Sequence, residues 1–248
     1  MLYPVGVAAM PGGADGCVRA TAGEPVAGPG PVMAPPAAGD VPVESVGLPA
    51  GGGTGTGRLV VVRHGQTAWS RSGRHTGRTD QPLLPEGEVQ ARQVGALLGG
   101  RHFAAVRTSP RQRAVRTCEL AGFGEAAVVD PDLAEWDYGA FEGLTTPEIQ
   151  ARRPGWLLWS DGVEGGERLE DVAARADRVI AAVRASAGDT LVFAHGHLLR
   201  VLAARWLGLA PGIGRRFSLN AGALGVLGWE HDEPVMRRWN LTAGDPLA

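Results

Sequence analysis

Residues 59–65 read Leu59-Val60-Val61-Val62-Arg63-His64-Gly65, and the pattern returns at residues 191–196 as Leu191-Val192-Phe193-Ala194-His195-Gly196. Each is an unbroken apolar run without alternation, the signature of a strand buried on both faces. Each stops at a histidine followed by glycine. Ligands of open α/β sheets bind outside the carboxyl ends of the strands, so His64 and His195 are held rigidly where a ligand would sit. The glycine after each histidine lets the backbone turn without a Cβ and lets a ligand approach, which makes Gly196 a candidate contact. Taken alone, Arg63-His64-Gly65 is a short and weak motif, and a hydrogen-bonded loop histidine is the plainer reading of it.

The elements around these runs are consistent with such a sheet. Glu86 to Leu98 is predicted as a helix with Val89, Val94, Leu97 and Leu98 inward, and Ala104 to Val106 as a strand. Ser109-Pro110 breaks the chain before a helix from about Arg111 to Leu120, with Pro110 suited to its first turn. The periodicity is clearest over Arg168 to Ala187, where Leu169, Val172, Ala173, Ala176, Val179, Ile180 and Val183 share one face and Gly188 supplies a stop. Leu198 to Leu207 reads as a helix, and Ala223 to Trp229 and Val235 to Trp239 as strands. Strands alternating with helices predict an α/β three-layer sandwich, a mostly parallel central sheet with helices on both faces.

Composition narrows the chemistry. All 24 basic residues of the 248 are arginine, which removes mechanisms built on a lysine amine: the P-loop lysine, the PLP Schiff base and the lysine-based kinase site. A net charge of -2 offers no global field for nucleic acid or anionic membrane, so neither is expected as a partner and any anion site must be local. Cys17 and Cys118 have neither metal spacing nor a disulfide pattern, which fits a reducing cytoplasm, and Cys118 reads as a small buried apolar residue. No apolar run approaches the ~20 residues that span a bilayer. The start of the chain lacks a basic region ahead of a continuous apolar stretch, so no signal peptide is expected.

Of the 38 glycines and 18 prolines, 14 and 9 stand in residues 1–57, a higher density than in the rest of the chain. Residues 1–57 have no apolar periodicity and end in the block GGGTGTG, a composition that cannot offset its ordering entropy. They are predicted to be a disordered extension, leaving 58–248 as one catalytic domain. Deleting 1–57 should leave activity and thermal stability intact, and a large loss of either would show that the segment docks on the core.

Five stretches in order carry a resemblance: RHGQT at 63–67, GRHTGRTDQPLL at 73–84, SPRQRA at 109–114, LAEWDYGAFEG at 133–143 and AHGHLLR at 194–200. The series resembles the histidine phosphatase superfamily, also called phosphoglycerate-mutase-like. Within it, the branch of mycobacterial acid phosphatases and sedoheptulose bisphosphatase is most similar. The resemblance covers nearly all of 58–240 and none of 1–57.

It implies that His64 is the nucleophile, forming a phosphohistidine, and that His195 donates to the phosphoryl group in the transition state. Phosphoryl transfer needs an in-line nucleophile, a clamp for the equatorial oxygens and an acid for the leaving oxygen. Arg63 and Arg113 match the family's arginines and offer forked donors suited to phosphate, and as cationic neighbours they would keep His64 neutral. Glu135 matches the family's acid and would protonate the leaving alkoxide, then deprotonate the attacking water; Asp137 and Glu142 are nearby rivals. Because the acid must start protonated, a mildly acidic optimum is expected, between about pH 5 and 7.

Ser70 stands where many mutases carry asparagine, and Thr76 and Gly77 match positions whose hydroxyl and backbone N–H meet the ligand in relatives. For each, a loop-stabilising turn residue is the competing reading. His197 completes a His-x-His whose rings would share one side of a continued strand. No third or fourth ligand accompanies it, so no metal is expected and His197 reads as a substrate-side or structural residue. His75 and Arg74 are placed at the entrance, and His102 and His231 at the surface. Trp69, Trp136, Trp156 and Trp159 read as core and lid packing. The alternative is that Trp69, Trp136 or Trp159 walls the crevice.

The resemblance leaves phosphatase and mutase to be separated. Mutases carry a lysine shortly after the EG-type motif and an arginine pair further on; here the lysine position falls at Thr146, and Trp156 to Gly166 has no arginine. With that clamp missing, water can reach the phosphohistidine. The expected function is a metal-independent phosphomonoesterase without a cofactor, acting on small organic phosphate esters, with a homodimer compatible. A mutase-type phosphotransferase is the alternative, and an inactive phosphate-binding domain is disfavoured because both histidines, both arginines and the acid are present.

Overall fold

A computed structural model describes residues 57–243. In chain order its elements are β1 (Leu59–Arg63), α1 (Ala68–Arg71), α2 (Pro85–Leu98), β2 (Ala105–Thr108), α3 (Gln112–Leu120) and β3 (Ala127–Val129). Then come α4 (Thr146–Arg152), α5 (Leu158–Asp161), α6 (Leu169–Arg184), β4 (Thr190–Ala194), α7 (Gly196–Trp206), β5 (Leu224–Glu230) and β6 (Glu233–Leu241). The six strands form one sheet in the order β3-β2-β4-β1-β5-β6. β1 to β4 are mutually parallel, whereas β5 runs antiparallel to β1 and β6 antiparallel to β5.

The pleat explains the unbroken apolar runs. On β1, Val60 and Val62 pack with Val94, Leu97 and Leu98 of α2 and Cys118 of α3, while Leu59 and Val61 pack on the other face with the inner stripe of α6 and with Leu198, Val201 and Leu202 of α7. β4 divides likewise, Leu191 and Phe193 to one side and Val192 and Ala194 to the other. Both faces are covered, so alternation has no solvent side to record. The result is the expected three-layer α/β sandwich.

Several boundaries move. Val89 of α2 is 52% exposed, and Gly87 and Ala91 take the inward positions instead. Pro110 precedes the N-cap Arg111 of α3 and so lies outside its first turn. α7 starts at Gly196, two residues earlier than periodicity gave, so His197 belongs to a helix and not to a continued strand. β3, three residues long, and the short helices α1, α4 and α5 carry too little periodicity to be read from sequence. Residues 1–56, for which composition predicts a disordered extension, lie outside the described residues. Gly57 is described, and its carbonyl accepts from Trp229 Nε1 at 3.4 Å.

Candidate active site

Parallel pairing of β1 with β4 puts Arg63 opposite Ala194, so His64 and His195 leave the sheet side by side. Their rings stand 5.2 Å apart, centroid to centroid, at 61°. Both are buried, His64 with 5% exposure and His195 with none. His64 Nδ1 lies 2.8 Å from the Gly65 carbonyl, which can only accept, so Nδ1 carries the hydrogen and Nε2 keeps its lone pair. Burial first, then Arg113 and Arg63, hold the His64 pKa well below the ordinary imidazole value. Desolvation is thus a larger cause than the arginines expected from the sequence.

Gly65 is required by packing. A Cβ there would lie 2.2 Å from the Gly87 carbonyl of α2, and its own N–H is donated to Thr117 Oγ1 of α3 at 3.1 Å. Gly196, the other glycine of the repeated pattern, leaves room for Arg63, whose Cζ and Nε would each be 3.3 Å from a Cβ.

Arg113 has no exposed surface and donates to four acceptors: Nε to His195 Nδ1 at 3.2 Å, Nη1 to Thr79 O at 3.0 Å, and Nη2 to Thr76 O at 2.9 Å and Gly77 O at 3.2 Å. Because Arg113 donates to its Nδ1, His195 carries its hydrogen on Nε2, 2.6 Å from Ser109 Oγ. Burial and the Arg113 charge press the His195 pKa well below the ordinary value. Arg63 donates Nη1 to the Leu219 carbonyl, and its Nε is buried without a partner. An orphaned cationic N–H beside His64 is costly unless an anion completes it.

Glu135 reaches the site from the loop before Trp136. Arg175 of α6 anchors that loop, donating to the carbonyls of Asp132 and Ala134 at 2.7 and 2.9 Å. The Glu135 carboxylate faces the N-terminus of α7: Oε1 accepts from Leu198 N at 2.9 Å and Trp136 N at 3.0 Å, and Oε2 from His197 N at 3.1 Å. Oε1 is saturated, so Oε2 is the oxygen left with a free lone pair. The rivals are committed elsewhere. Asp137 pairs with Arg78 at 2.6 Å, and Glu142 accepts from Gly77 N and Thr79 N, each at 2.9 Å.

A pocket of about 210 Å³ opens over Arg63, His64, Glu135 and Gly196. Ser70 and Thr76 line it. Gly77 does not, since Glu142 takes its N–H and Arg113 its carbonyl. Ser70 also closes the capping box of α1, accepting from Thr67 N at 2.9 Å. Arg113 and His195 lie behind the lining, in contact with His64 through the buried network. Arg74 and His75 are at the pocket wall, as expected, and His75 is more deeply buried than an entrance residue, at 8%. Trp69, Trp136 and Trp159 are absent from the wall; Trp136 is wholly buried, with Nε1 donated to Glu167 O at 2.8 Å. Cys118 is buried as predicted, its thiol pushed up to about 12 by desolvation.

Sequence reasoning passed over Tyr138 and Arg200 as site residues, though both line the pocket. Each stood within a quoted motif, Tyr138 in Trp-Asp-Tyr-Gly and Arg200 one helical turn after Gly196, and that position was the available signal. Among the described residues, no cluster of three or more His, Cys, Asp or Glu forms a metal site, and no helix is long and apolar enough to cross a membrane.

Comparison with known proteins fits this arrangement. The chain is 43% identical over 178 residues to the acid phosphatase of Mycobacterium tuberculosis, spanning 70% of this chain and 87% of that protein. It is 34% identical over 251 residues to the sedoheptulose 1,7-bisphosphatase of Saccharomyces cerevisiae, spanning 73% and 92%. The solved structure of the open reading frame Rv3214 from Mycobacterium tuberculosis superposes with a TM-score of 0.72 at 41% identity, covering 75% of this chain and 98% of that one. The model of the histidine phosphatase superfamily, branch 1, matches residues 59–242, and the chain, with its two strand-end histidines, their arginines and the facing carboxylate, belongs to that family of phosphatases and mutases.

Proposed function

We propose that the protein is a phosphomonoesterase that hydrolyses small organic phosphates through a phosphohistidine on His64. The observation that carries this reading is the fixed His64 ring: Nδ1–H is tied to Gly65 O and the neutral Nε2 is left as a lone pair in a pocket shared with Glu135. Nε2 attacks phosphorus as the ester oxygen departs, and Glu135 supplies its proton through Oε2. Glu135 then takes a proton from water, which attacks the phosphohistidine and releases phosphate and free His64. The unpartnered Arg63 Nε and the remaining Nη1 hydrogen of Arg113 bind the equatorial oxygens, so the clamp is made of arginines and calls for no metal. His195 Nε2–H turns from Ser109 to the phosphoryl group as charge develops.

Hydrolysis is favoured over mutase transfer by the state of the other cations. Thr146 lines the pocket at the position where mutases carry lysine. Arg74 and Arg200 are the further pocket cations: Arg74 pairs with Glu148 at 3.1 Å, and Arg200 donates to the Gly214 and Arg215 carbonyls at 3.1 and 2.8 Å. With Thr146 at the lysine position and Arg74 paired to Glu148, a second acidic group would meet an incomplete clamp, and water completes the reaction.

The test is release of p-nitrophenol from p-nitrophenyl phosphate without added metal. His64→Ala should be slower by about a thousandfold or more. Equal rates for wild type and variant would rule the mechanism out.

A further inference from the structure

The phosphatase reading uses His64 and His195 and leaves two further pocket histidines without a task. His75 and His197 have parallel rings, 3° between planes, with centroids 6.1 Å apart. Each has one ring nitrogen fixed by a partner inside the protein. His75 Nδ1 lies 2.8 Å from the Leu144 carbonyl, an acceptor, so Nδ1 carries the hydrogen and Nε2 is left as an acceptor. His197 Nδ1 lies 2.6 Å from the Tyr138 hydroxyl. Tyr138 is 1% exposed and burial raises its pKa well above the ordinary value, so it stays protonated; among the described residues His197 Nδ1 is the hydrogen-bond partner its hydroxyl has, and the buried O–H therefore donates there. His197 Nδ1 therefore accepts, and its hydrogen is on Nε2, which is left as a donor. Burial keeps both rings neutral, with Arg200 adding to the effect at His197.

The two outer nitrogens are thus of opposite kind, and among the described residues neither has a hydrogen-bond partner nor is sealed off as a buried orphan. Both residues line the pocket that holds Glu135, whose Oε2 is fixed by the His197 backbone N–H. A leaving group protonated by Glu135 would therefore lie along this pair. An acceptor and a donor on parallel rings suit two hydroxyls on neighbouring carbons, each hydrogen bond spanning about 2.8 Å. An alkyl or aryl leaving group would leave both nitrogens unsatisfied.

We propose that His75 and His197, the latter held in its tautomer by Tyr138, form a specificity wall that selects phosphate esters of polyols by reading hydroxyls of the leaving group. Tyr138 is a positioning residue that acts through His197. The proposal rests on the phosphatase reading, and the two can fail separately.

The test compares ribitol 5-phosphate with n-pentyl phosphate, esters of equal chain length that differ in their hydroxyls. On the full chain, wild type should prefer ribitol 5-phosphate in kcat/KM by about tenfold or more. The preference should fall to near unity in His197→Leu and drop severalfold in Tyr138→Phe, the milder change. His197→Gln, which keeps an N–H near the Nε2 position, should retain most of it. The same pair is titrated calorimetrically into His64→Ala, so that recognition is measured apart from turnover. No phosphate release from either ester, nor from p-nitrophenyl phosphate, overturns the phosphatase reading. Equal affinity and equal kcat/KM for the two esters, or a full preference in both His197→Leu and Tyr138→Phe, overturns the wall.

Discussion

Burial is the main feature that suits His64 to the nucleophile role proposed for it. A buried imidazole whose pKa is below the ordinary value near 6.5 remains neutral at moderately acidic pH. The acid limb of kcat/KM should accordingly fall below pH 6.5, and a pH profile of p-nitrophenyl phosphate hydrolysis reads it directly; an acid limb at pH 6.5 or above would mean that burial does not lower the His64 pKa. At this scale the motifs were most informative as a series: His64, Arg63, Glu135 and His195 could be singled out because five stretches occur in one order, whereas Arg63-His64-Gly65 alone is weak. What the motifs did not contain was the hydrogen-bond partner of each nitrogen. Whether His195 carries its proton on Nδ1 or Nε2 depends on Arg113 and Ser109, 82 and 86 residues away in sequence.

Among the elements, close backbone approaches and caps place the site. The loop after β1 lies directly on α2, where a Cβ on Gly65 would be 2.2 Å from Gly87 O and one on Gly87 2.2 Å from Gln66 O. Gly65→Ala should cost about 1–3 kcal/mol by overpacking and shift His64, lowering kcat as well as the melting temperature. Denaturant unfolding alongside phosphatase assays measures both; an unchanged stability would show that the loop can move aside at no cost. α4 depends on its cap, because Thr145 Oγ1 accepts from Glu148 N at 3.3 Å while Glu148 Oε2 accepts from Thr145 N at 2.7 Å. Thr145→Ala should lower Tm by about 2–4 °C by thermal melt. It should also loosen Arg74, which Glu148 holds at the pocket wall. Long helices were readable from sequence because their stripes repeat. α7 was started late because Gly196 and His197 are poor helix formers, and it is the Glu135 carboxylate that satisfies the first free N–H groups of that helix.

For the whole molecule, the buried histidines connect the active site to global stability. His64, His195 and His197 all have folded-state pKa values pressed well below 6.5. Between those values and 6.5 the unfolded chain binds protons that the folded chain does not, so stability is complete above about pH 6.5 and is lost as pH falls below it. Melting curves from pH 8 to pH 5 should show Tm falling progressively below pH 6.5, ahead of most carboxylate titration. A Tm that is flat or rising toward pH 5 would contradict this protonation of the core. The same three groups bound how far an acidic optimum can extend before the fold weakens.

The sequence by itself determined the layers and the chemistry at the strand ends, because a strand covered on both faces must be apolar throughout and a catalytic motif keeps its residues close together. Tertiary structure alone decided how the Glu135 carboxylate is held, which glycine serves packing and which nitrogen of each histidine carries the proton. Those choices depend on partners distant in the chain, such as Glu135 with the start of α7 and Tyr138 with His197, and local sequence patterns carry no record of such pairings.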